Sequence, residues 1–437
     1  MMQVEKLKRY LSEFDVTKLP TTFRRDVKVD LSLHKIIILA GIRRCGKTYE
    51  LFNIMKELLG SGISSKNMIY LNFEDERLQN FQAIDFDLLL DTYRELYNPN
   101  RDEIIYLFLD EIQIVKDWDR SIRRLHESGM YKLFLTGSSS KLLSSEISTL
   151  MAGRNVTYVI FPFSFQEMIK ARNLNFEGRE FYKNIPTLKK YVKEYIEYGG
   201  FPEVLITPDL VSKKRIIFSY YESIIFKDIV ERYRIGDVGQ LKIVLSYIMN
   251  SYSSNLSVSN LYNFMKTINM EIGKNTISKF LEYAASVFFV SLNYKYSRGF
   301  KVRTQSRKKV YLMDNGFSMI FKTSEDSGRL LENAVYIELL RRKEKYQFYD
   351  IYYYQGKGEA DFLVVINNEV REIIQVCFEI NETNFKREIS SIQEAVKTFG
   401  HVKTVIITMN ETKINLVDKG IEIVPFYEWS LKPDLKM

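Results

Sequence analysis

The chain has 437 residues and a mass of 51.6 kDa, which is enough for two to four domains. A hydrophobic fraction of 46%, a charged fraction of 27%, 20 Gly and 8 Pro exclude a disordered, collagen-like or low-complexity protein. No apolar run approaches the roughly 20 residues that span a bilayer. Two Cys and three His are too few for a disulfide framework or a structural zinc site. The first residues lack the apolar core of a secretory signal, so we expect a cytoplasmic protein.

Positive charge is concentrated in the middle of the chain. Residues 211–320 contain 17 Lys or Arg and 7 Asp or Glu, a net charge of +10, whereas the whole chain carries +8. The remaining residues are therefore slightly acidic. A local basic excess favours contact with a polyanion, although a solvated Lys-rich face explains the composition equally well.

The first predicted element is a buried strand that runs into a phosphate-binding loop. Residues 34–40 contain three consecutive Ile without polar alternation, as in a parallel strand covered on both faces, and a helical stretch follows at 49–59. The loop between them has the pattern G-x-x-x-x-G-K-[ST], in which Gly residues let backbone amides face phosphate groups. We expect Lys47 to contact the β- and γ-phosphates and the Thr48 hydroxyl to bind Mg²⁺. The residues expected around the nucleotide are Gly41, Ile42, Arg43, Arg44, Cys45, Gly46, Lys47, Thr48 and Tyr49.

Two adjacent carboxylates follow a second buried strand. Residues 104–109 are apolar and lead directly into Asp110 and Glu111. Ligands of parallel sheets collect at the carboxyl ends of the strands. Asp110 is therefore a candidate Mg²⁺ ligand, and Glu111 a candidate base that orients the attacking water. A helix N-cap is the structural alternative for this pair.

Three further segments, 68–73, 131–137 and 155–161, fit the same parallel sheet. Ser138 follows the second segment and is the candidate γ-phosphate sensor, with Thr136 or a simple helix N-cap as alternatives. Arg154 precedes the third segment. It is a candidate arginine finger, acting in its own chain or in a neighbouring subunit of a homo-oligomer, or else an ordinary surface Arg.

Several short motifs distributed along the chain are typical of one family. In the first half they are the phosphate loop with its two Arg, LDEIQ at 109–113, TGSS at 136–139, AGR at 152–154, FPFSF at 161–165 and GGFP at 199–202. In the last third they are GRLLEN at 328–333, EADF at 359–362 and IQV at 374–376. Together they resemble the AAA-type ATPases of the archaeal-ATPase-like group, which carry a C-terminal domain of unknown function. The resemblance covers nearly the whole chain. It implies ATP binding, favours hydrolysis and leaves the cellular role open.

The middle of the chain predicts a helical lid and then a winged helix. Residues 164–198 are helix-rich and are expected to cover the nucleotide, ending at a turn over 199–202. A long helix is expected over 211–233, and Asn275 with Thr276 is the expected N-cap of a later helix. Three short helices followed by a hairpin are typical of winged-helix modules. The expected short helices are 241–252, 258–266 and 275–286, and the expected strands 288–294 and 310–313.

The segment 295–309 between these strands is strongly basic. Such a cluster is suited to sequence-independent contacts with nucleic-acid phosphates. Winged helices also bind proteins, so a nucleic-acid partner and a protein partner both stay open. The seven cations are Lys295, Arg298, Lys301, Arg303, Arg307, Lys308 and Lys309.

The last third carries an incomplete nuclease pattern. Glu332 on a helix and Asp361 before a strand occur in the order found in restriction-type nucleases, whose carboxylates hold Mg²⁺ and whose Lys assists the water. On the next strand, Gln375 stands where a carboxylate is expected and Cys377 where the Lys is expected. We therefore expect a nuclease-like fold with little or no nuclease activity.

The expected fold class is α/β: a P-loop NTPase parallel sheet with a helical lid, then a winged-helix domain, then a nuclease-like α/β domain. The expected domain bounds are 1–205, 206–320 and 321–437. ATP and Mg²⁺ are the expected ligands. The expected function is Mg²⁺-dependent ATP hydrolysis that moves the C-terminal domains. The alternatives are a nucleotide-gated interaction module with little turnover and a DNA-binding or DNA-processing protein that uses the basic winged helix.

Overall fold

The computed structural model describes the chain as two compact units, Met1–Ile160 and Phe161–Met437. Among the described helices, none is long and apolar enough to cross a membrane. The described residues are all except 1–2, 101, 140–150, 152, 177, 322–325, 347, 357, 382–383, 401, 413–419 and 433–437.

The first unit is built on a five-stranded parallel sheet in the order β2-β3-β4-β1-β5. This confirms the predicted parallel sheet. Most of its residues are buried, which explains the nearly continuous apolar runs in the sequence. The strands are β1 (Ile36–Ala40), β2 (Met68–Asn72), β3 (Ile105–Asp110), β4 (Tyr131–Gly137) and β5 (Asn155–Val159). The helices are α1 (Val4–Glu13), α2 (Lys47–Gly60), α3 (Asp85–Tyr97) and α4 (Trp118–Glu127).

The register brings the predicted site residues to one edge of this sheet. Ala40 at the end of β1 is paired with Gly137 at the end of β4. Asp110 at the end of β3 is paired with Asn72 at the end of β2. The phosphate loop and the carboxylate pair therefore lie at the carboxyl edge, where ligands bind in open α/β sheets.

The N-terminal helix α1 covers the edge strand β2. The backbone N–H of Asn72 donates to the Tyr10 hydroxyl at 2.8 Å. The Phe14 ring, just past α1, lies 4.4 Å from the Tyr70 ring. This cover satisfies a donor that an edge strand otherwise exposes and holds Tyr70 against the core.

The second unit contains an eight-stranded sheet in the order β13-β12-β11-β10-β9-β7-β8-β6. Its strands are β6 (Ser254–Leu256), β7 (Val290–Lys295), β8 (Lys308–Leu312), β9 (Tyr349–Gln355), β10 (Glu359–Ile366), β11 (Glu369–Cys377), β12 (Lys403–Thr408) and β13 (Ile421–Pro425). Its helices are α5 (Phe165–Ala171), α6 (Gly178–Tyr198), α7 (Pro202–Ile206), α8 (Leu210–Ser223), α9 (Val238–Asn250), α10 (Val258–Thr267), α11 (Lys274–Ser286), α12 (Phe300–Gln305), α13 (Ser327–Lys345), α14 (Phe385–Phe399) and α15 (Phe426–Leu431).

The eight-stranded sheet joins two parts that the sequence predicted as separate domains. Strands β7 and β9 pair in parallel at Tyr294 with Tyr352 and at Lys295 with Tyr353. The helical segment after Ile160 also belongs to the second unit. The three-domain division stays a prediction. Both of its boundaries, after residues 205 and 320, fall inside the second unit.

Local details of the middle segment also differ from expectation. Helix α11 begins at Lys274 with Gly273 as its N-cap, because the N–H groups of Thr276 and Ile277 donate to the Gly273 carbonyl. The N-cap predicted at Asn275 and Thr276 is therefore wrong. The basic segment is not a simple loop, since it contains helix α12.

The turn predicted at 199–202 is held by a buried carboxylate. Gly199 has φ +78°, and a Cβ there would lie 1.8 Å from Asp314 Oδ1. The Gly200 N–H donates to Asp314 Oδ2 at 2.7 Å, and the Gly316 N–H donates to Oδ1 at 2.8 Å. Burial raises the pKa of Asp314 to about 7. This carboxyl therefore fixes the turn from within the second unit.

Candidate functional site

The phosphate loop has the conformation that its two Gly residues permit. A Cβ on Gly41 would lie 2.1 Å from the Ile160 carbonyl oxygen, so this position excludes larger residues. Gly46 has φ +103° and forms the N-cap of α2. The loop therefore ends at the N-terminus of a 14-residue helix, whose free N–H groups and dipole attract anions.

The Lys47 side chain lies inside the phosphate loop. Its Nζ donates to the carbonyl oxygens of Gly41 at 3.1 Å and Ile42 at 3.3 Å. It also forms an ion pair with Glu111 Oε1 at 3.3 Å, and Lys47 is only 4% exposed. A buried ammonium beside a helix N-terminus is an arrangement that attracts phosphate groups.

Asp110 accepts hydrogen bonds from three hydroxyl groups. Thr48 Oγ1 donates to Oδ2 at 2.7 Å, Tyr70 Oη donates to Oδ2 at 3.0 Å, and Thr136 Oγ1 donates to Oδ1. Burial, and then the charge of the adjacent Glu111, raise the pKa of the Asp110 carboxyl. The adjacent oxygens of Thr48 and Asp110 are hard donors of the type that Mg²⁺ prefers when phosphates and waters complete its shell, so the residues present fit this ion.

Glu111 is held at its backbone and at both carboxylate oxygens. Its φ of +54° lies in the left-handed region, and its N–H donates to Thr136 Oγ1 at 2.9 Å. Oε1 pairs with Lys47, and Oε2 accepts from Gln113 Nε2. Burial alone would raise the pKa of this carboxyl, but Lys47, Arg43 and Gln113 together hold the pKa below its ordinary value. Glu111 is therefore ionised at neutral pH, as a base must be.

The other loop residues divide into buried and exposed positions. Arg43 donates to Glu74 Oε1 at 2.6 Å and is nearly buried. Cys45 is fully buried, and burial raises the pKa of its thiol, which agrees with a packing role. Tyr49 is 52% exposed, and Arg44 is exposed with φ +70°.

Thr136 contacts both members of the carboxylate pair. Its hydroxyl lies between the Asp110 side chain and the Glu111 backbone. Ser138 is buried just beyond the end of β4. A sensor role for Ser138 or for Thr136 stays a prediction.

Arg154 lies at the edge of the sheet opposite to the phosphate loop. Its carbonyl accepts from the N–H of Ile36, the first residue of β1, whereas the loop follows the last. One five-residue strand separates them by about 15 Å. The Arg154 guanidinium pairs with Glu127 at 2.8 Å. The structure thus does not place this Arg beside its own phosphate loop, and a role in a neighbouring subunit stays a prediction.

A second polar cluster lies in the Phe161–Met437 unit. Lys309 Nζ lies 3.0 Å from Glu359 Oε1, 3.2 Å from Asp361 Oδ1 and 3.3 Å from Glu332 Oε1. Lys309 is 4% exposed, so it is not an exposed cation of the basic segment, and its contact with nucleic-acid phosphates stays a prediction. The cavity of about 460 Å³ at this cluster is lined by Ser253, Ser254, Asn255, Lys309, Glu332, Glu359, Asp361, Gln375 and Glu388.

The three positions of the nuclease pattern therefore lie together. Gln375 Oε1 accepts from the Asp361 N–H at 3.3 Å, and Glu332 contacts the same Lys309 as Asp361. The sequence pattern placed Cys377 where an amine is expected, whereas Lys309 from β8 brings an amine to the carboxylates. In the described part of the chain, no group of three His, Cys, Asp or Glu residues is arranged to hold a metal ion. One ammonium, that of Lys309, lies among the three carboxylates of this cluster, and the expectation of little or no nuclease activity stays a prediction.

Three comparisons relate the chain to other proteins. Residues 33–169 match the AAA domain family, and residues 189–326 match a domain of unknown function, DUF8612. The chain is 37% identical over 429 residues to the uncharacterised protein MJ1544 of Methanocaldococcus jannaschii, covering 96% of this chain and 94% of the relative. It is 30% identical over 402 residues to an uncharacterised protein of Haemophilus influenzae, covering 91% and 94%. A Walker-type ATPase of Pyrococcus abyssi has a TM-score of 0.41 at 14% identity, covering 74% of this chain and 96% of that one.

Proposed function

The chain belongs to the family of MJ1544 and carries an AAA domain, and we propose that it binds ATP and hydrolyses it with Mg²⁺. The proposal rests on the contacts between the phosphate loop and the carboxylate pair. The Thr48 hydroxyl is hydrogen-bonded to Asp110 at 2.7 Å, and Lys47 is paired with Glu111 at 3.3 Å. These four side chains are the ones that phosphate binding, metal binding and water activation require.

Binding begins with the loop and its Lys. The backbone amides between Gly41 and Thr48 and the Lys47 ammonium bind the β- and γ-phosphates. Thr48 and Asp110 would hold Mg²⁺, which neutralises charge on the phosphates when it is bound. The hydroxyls of Tyr70 and Thr136 keep the Asp110 carboxylate aimed at Thr48.

Hydrolysis requires a base beside the terminal phosphate. Glu111 accepts a proton from a water molecule as the water oxygen forms a bond to the γ-phosphorus. The bond from that phosphorus to the β–γ bridging oxygen breaks, and ADP and inorganic phosphate result. The low pKa of Glu111 keeps this carboxylate ionised and ready to accept the proton.

The test is Glu111→Gln, which keeps the shape of the side chain and removes the base. We expect binding of a non-hydrolysable ATP analogue to change less than about threefold, while turnover falls by about 10² to 10⁴. Glu57→Gln, on the exposed face of α2, is the matched control and should change neither quantity. Unchanged phosphate release by Glu111→Gln would refute hydrolysis through this residue. Wild-type protein that binds ATP tightly without turnover would instead support the nucleotide-gated module.

A second candidate function, nucleic-acid binding, is favoured by the middle of the chain. The elements follow in the order α9, β6, α10, α11, β7 and β8, with the short helix α12 between the last two strands, and this order supports the winged-helix interpretation. Arg298, Lys301 and Arg307 are exposed on the segment between β7 and β8. With Lys309 buried, these three cations are the best candidates for phosphate contacts.

Salt dependence tests this second function. If all three cations contact phosphates, replacing them with Gln should reduce the slope of log affinity against log salt for duplex DNA by about 3. A triple Gln variant at the exposed Lys190, Lys193 and Lys214 is the matched control. Equal slopes in the two triple variants would contradict a role for the basic segment.

A further inference from the structure

The Glu111 carboxylate is held by a residue that the two motifs do not include. Gln113 lies on the single 3₁₀ turn Ile112–Ile114, and this turn is closed by a hydrogen bond from the Ile114 N–H to the Glu111 carbonyl at 3.1 Å. The turn brings the Gln113 amide back onto Glu111, where Nε2 donates to Oε2. A carboxylate can only accept, so the amide must present its NH₂ group to Glu111.

The other end of the same amide is unsatisfied. Gln113 Oε1 is buried and has no hydrogen-bond partner among the described residues. A buried acceptor without a donor is destabilising, so such groups are normally satisfied by a ligand or a water molecule. This acceptor belongs to the amide that touches Glu111, which places the missing donor beside the base.

Nucleotide binding makes the contact between Gln113 and Glu111 more important. Without a phosphate, Glu111 is held at Oε1 by Lys47 and at Oε2 by Gln113. A triphosphate in the loop attracts the Lys47 ammonium, because phosphate oxygens carry more negative charge than a single carboxylate. Gln113 then becomes the remaining described side-chain contact that fixes the orientation of Glu111.

We propose that Gln113 is a positioning residue for ATP hydrolysis: its Nε2 orients Glu111, and its Oε1 accepts a hydrogen from the water that Glu111 activates. The proposal rests on the proposed ATPase function. It assigns no role in nucleotide binding to Gln113, because the hydrogen bond of its amide is made to the base. Misplacement of a base or water by about 1 Å lowers rates by about 10²-fold.

The experiment compares turnover with nucleotide affinity in Gln113→Ala and in Gln113→Met, which preserves side-chain length. We expect turnover to fall about 10- to 100-fold in both variants, with affinity for a fluorescent non-hydrolysable ATP analogue within about twofold of wild type. Gln79→Ala, at an exposed Gln in the same unit, is the matched control and should keep wild-type turnover.

A double variant separates positioning from a merely structural role. If Gln113 acts through Glu111, adding Gln113→Met to Glu111→Gln should lower turnover by less than about twofold more. Wild-type turnover in Gln113→Met, a parallel loss of nucleotide affinity, or a fully additive loss in the double variant would each overturn the proposal. Absence of turnover in the wild type would overturn the ATPase function itself, which is a distinct result.

Discussion

Replacing Lys309 with Met would leave two buried carboxylates without their cation. In the wild-type protein the Lys309 ammonium lies 3.2 Å from Asp361 and 3.3 Å from Glu332, and all three side chains are at most 13% exposed. Burial raises the pKa of Glu332 to about 8 and also raises the pKa of Asp361. The Lys309 ammonium lowers both pKa values against the effect of burial, so replacing Lys309 removes the charge that favours the ionised forms of both carboxyls.

The size of the effect follows from these distances. Unit charges 3.2 Å apart attract each other by about 5 kcal/mol at an effective dielectric constant of about 20. The more exposed Glu359 is screened and contributes little. Desolvation of the ammonium offsets much of the attraction, so we expect Lys309→Met to lower the free energy of unfolding by about 3–5 kcal/mol. This is a large share of the typical 5–15 kcal/mol.

The loss should depend on pH. Without Lys309 the folded-state pKa values of the two carboxyls rise further, so the folded protein binds protons more strongly than the unfolded chain. Stability is then greatest at low pH and falls as pH rises through the folded pKa values. Urea denaturation should therefore show a smaller defect at pH 5.5 than at pH 8.5. Lys308→Met, at the half-buried neighbouring position beside the Tyr294 ring, should cost less than about 1 kcal/mol. Equal stability of Lys309→Met and Lys308→Met at pH 8.5 would refute the reasoning.

Three further predictions follow from buried contacts. Burial raises the pKa of Asp314 to about 7. The contribution of this carboxyl to the free energy of unfolding is therefore present below pH 4 and is lost as the pH rises to 7. The stability gap between wild type and Asp314→Asn in urea denaturation should therefore narrow by about 4 kcal/mol from pH 4 to pH 8, and a constant gap would contradict this. Gly41→Ala should abolish binding of a fluorescent ATP analogue, since its Cβ would lie 2.1 Å from the Ile160 carbonyl, whereas Gly60→Ala, with no neighbour within 4 Å, should leave binding intact. Tyr70→Phe removes one donor from buried Asp110 and should lower the free energy of unfolding by about 1–3 kcal/mol; an unchanged denaturation midpoint would show that this bond contributes nothing.

The sequence determined the parallel sheet of the first unit and its nucleotide motifs. The phosphate loop could be predicted because its spacing is local: Gly41, Gly46 and Lys47 lie within one turn between a strand and a helix. The position of Asp110 also followed from local pattern, since carboxyl ends of parallel strands share one edge. The contacts of the Thr136 hydroxyl with Asp110 and Glu111 did not follow, because they depend on how β4 pairs with β3.

Only the tertiary structure decided which cations of the basic segment are buried and which are exposed. Lys308 and Lys309 are adjacent in β8, and neighbouring residues of a strand point to opposite faces. One contacts the Tyr294 ring, and the other enters a cluster with Glu332 and Asp361, which follow 23 and 52 residues later. Strand register and distant partners decide which of these two Lys residues is buried. Composition assigns the same charge to both residues and contains no information on register or on distant partners.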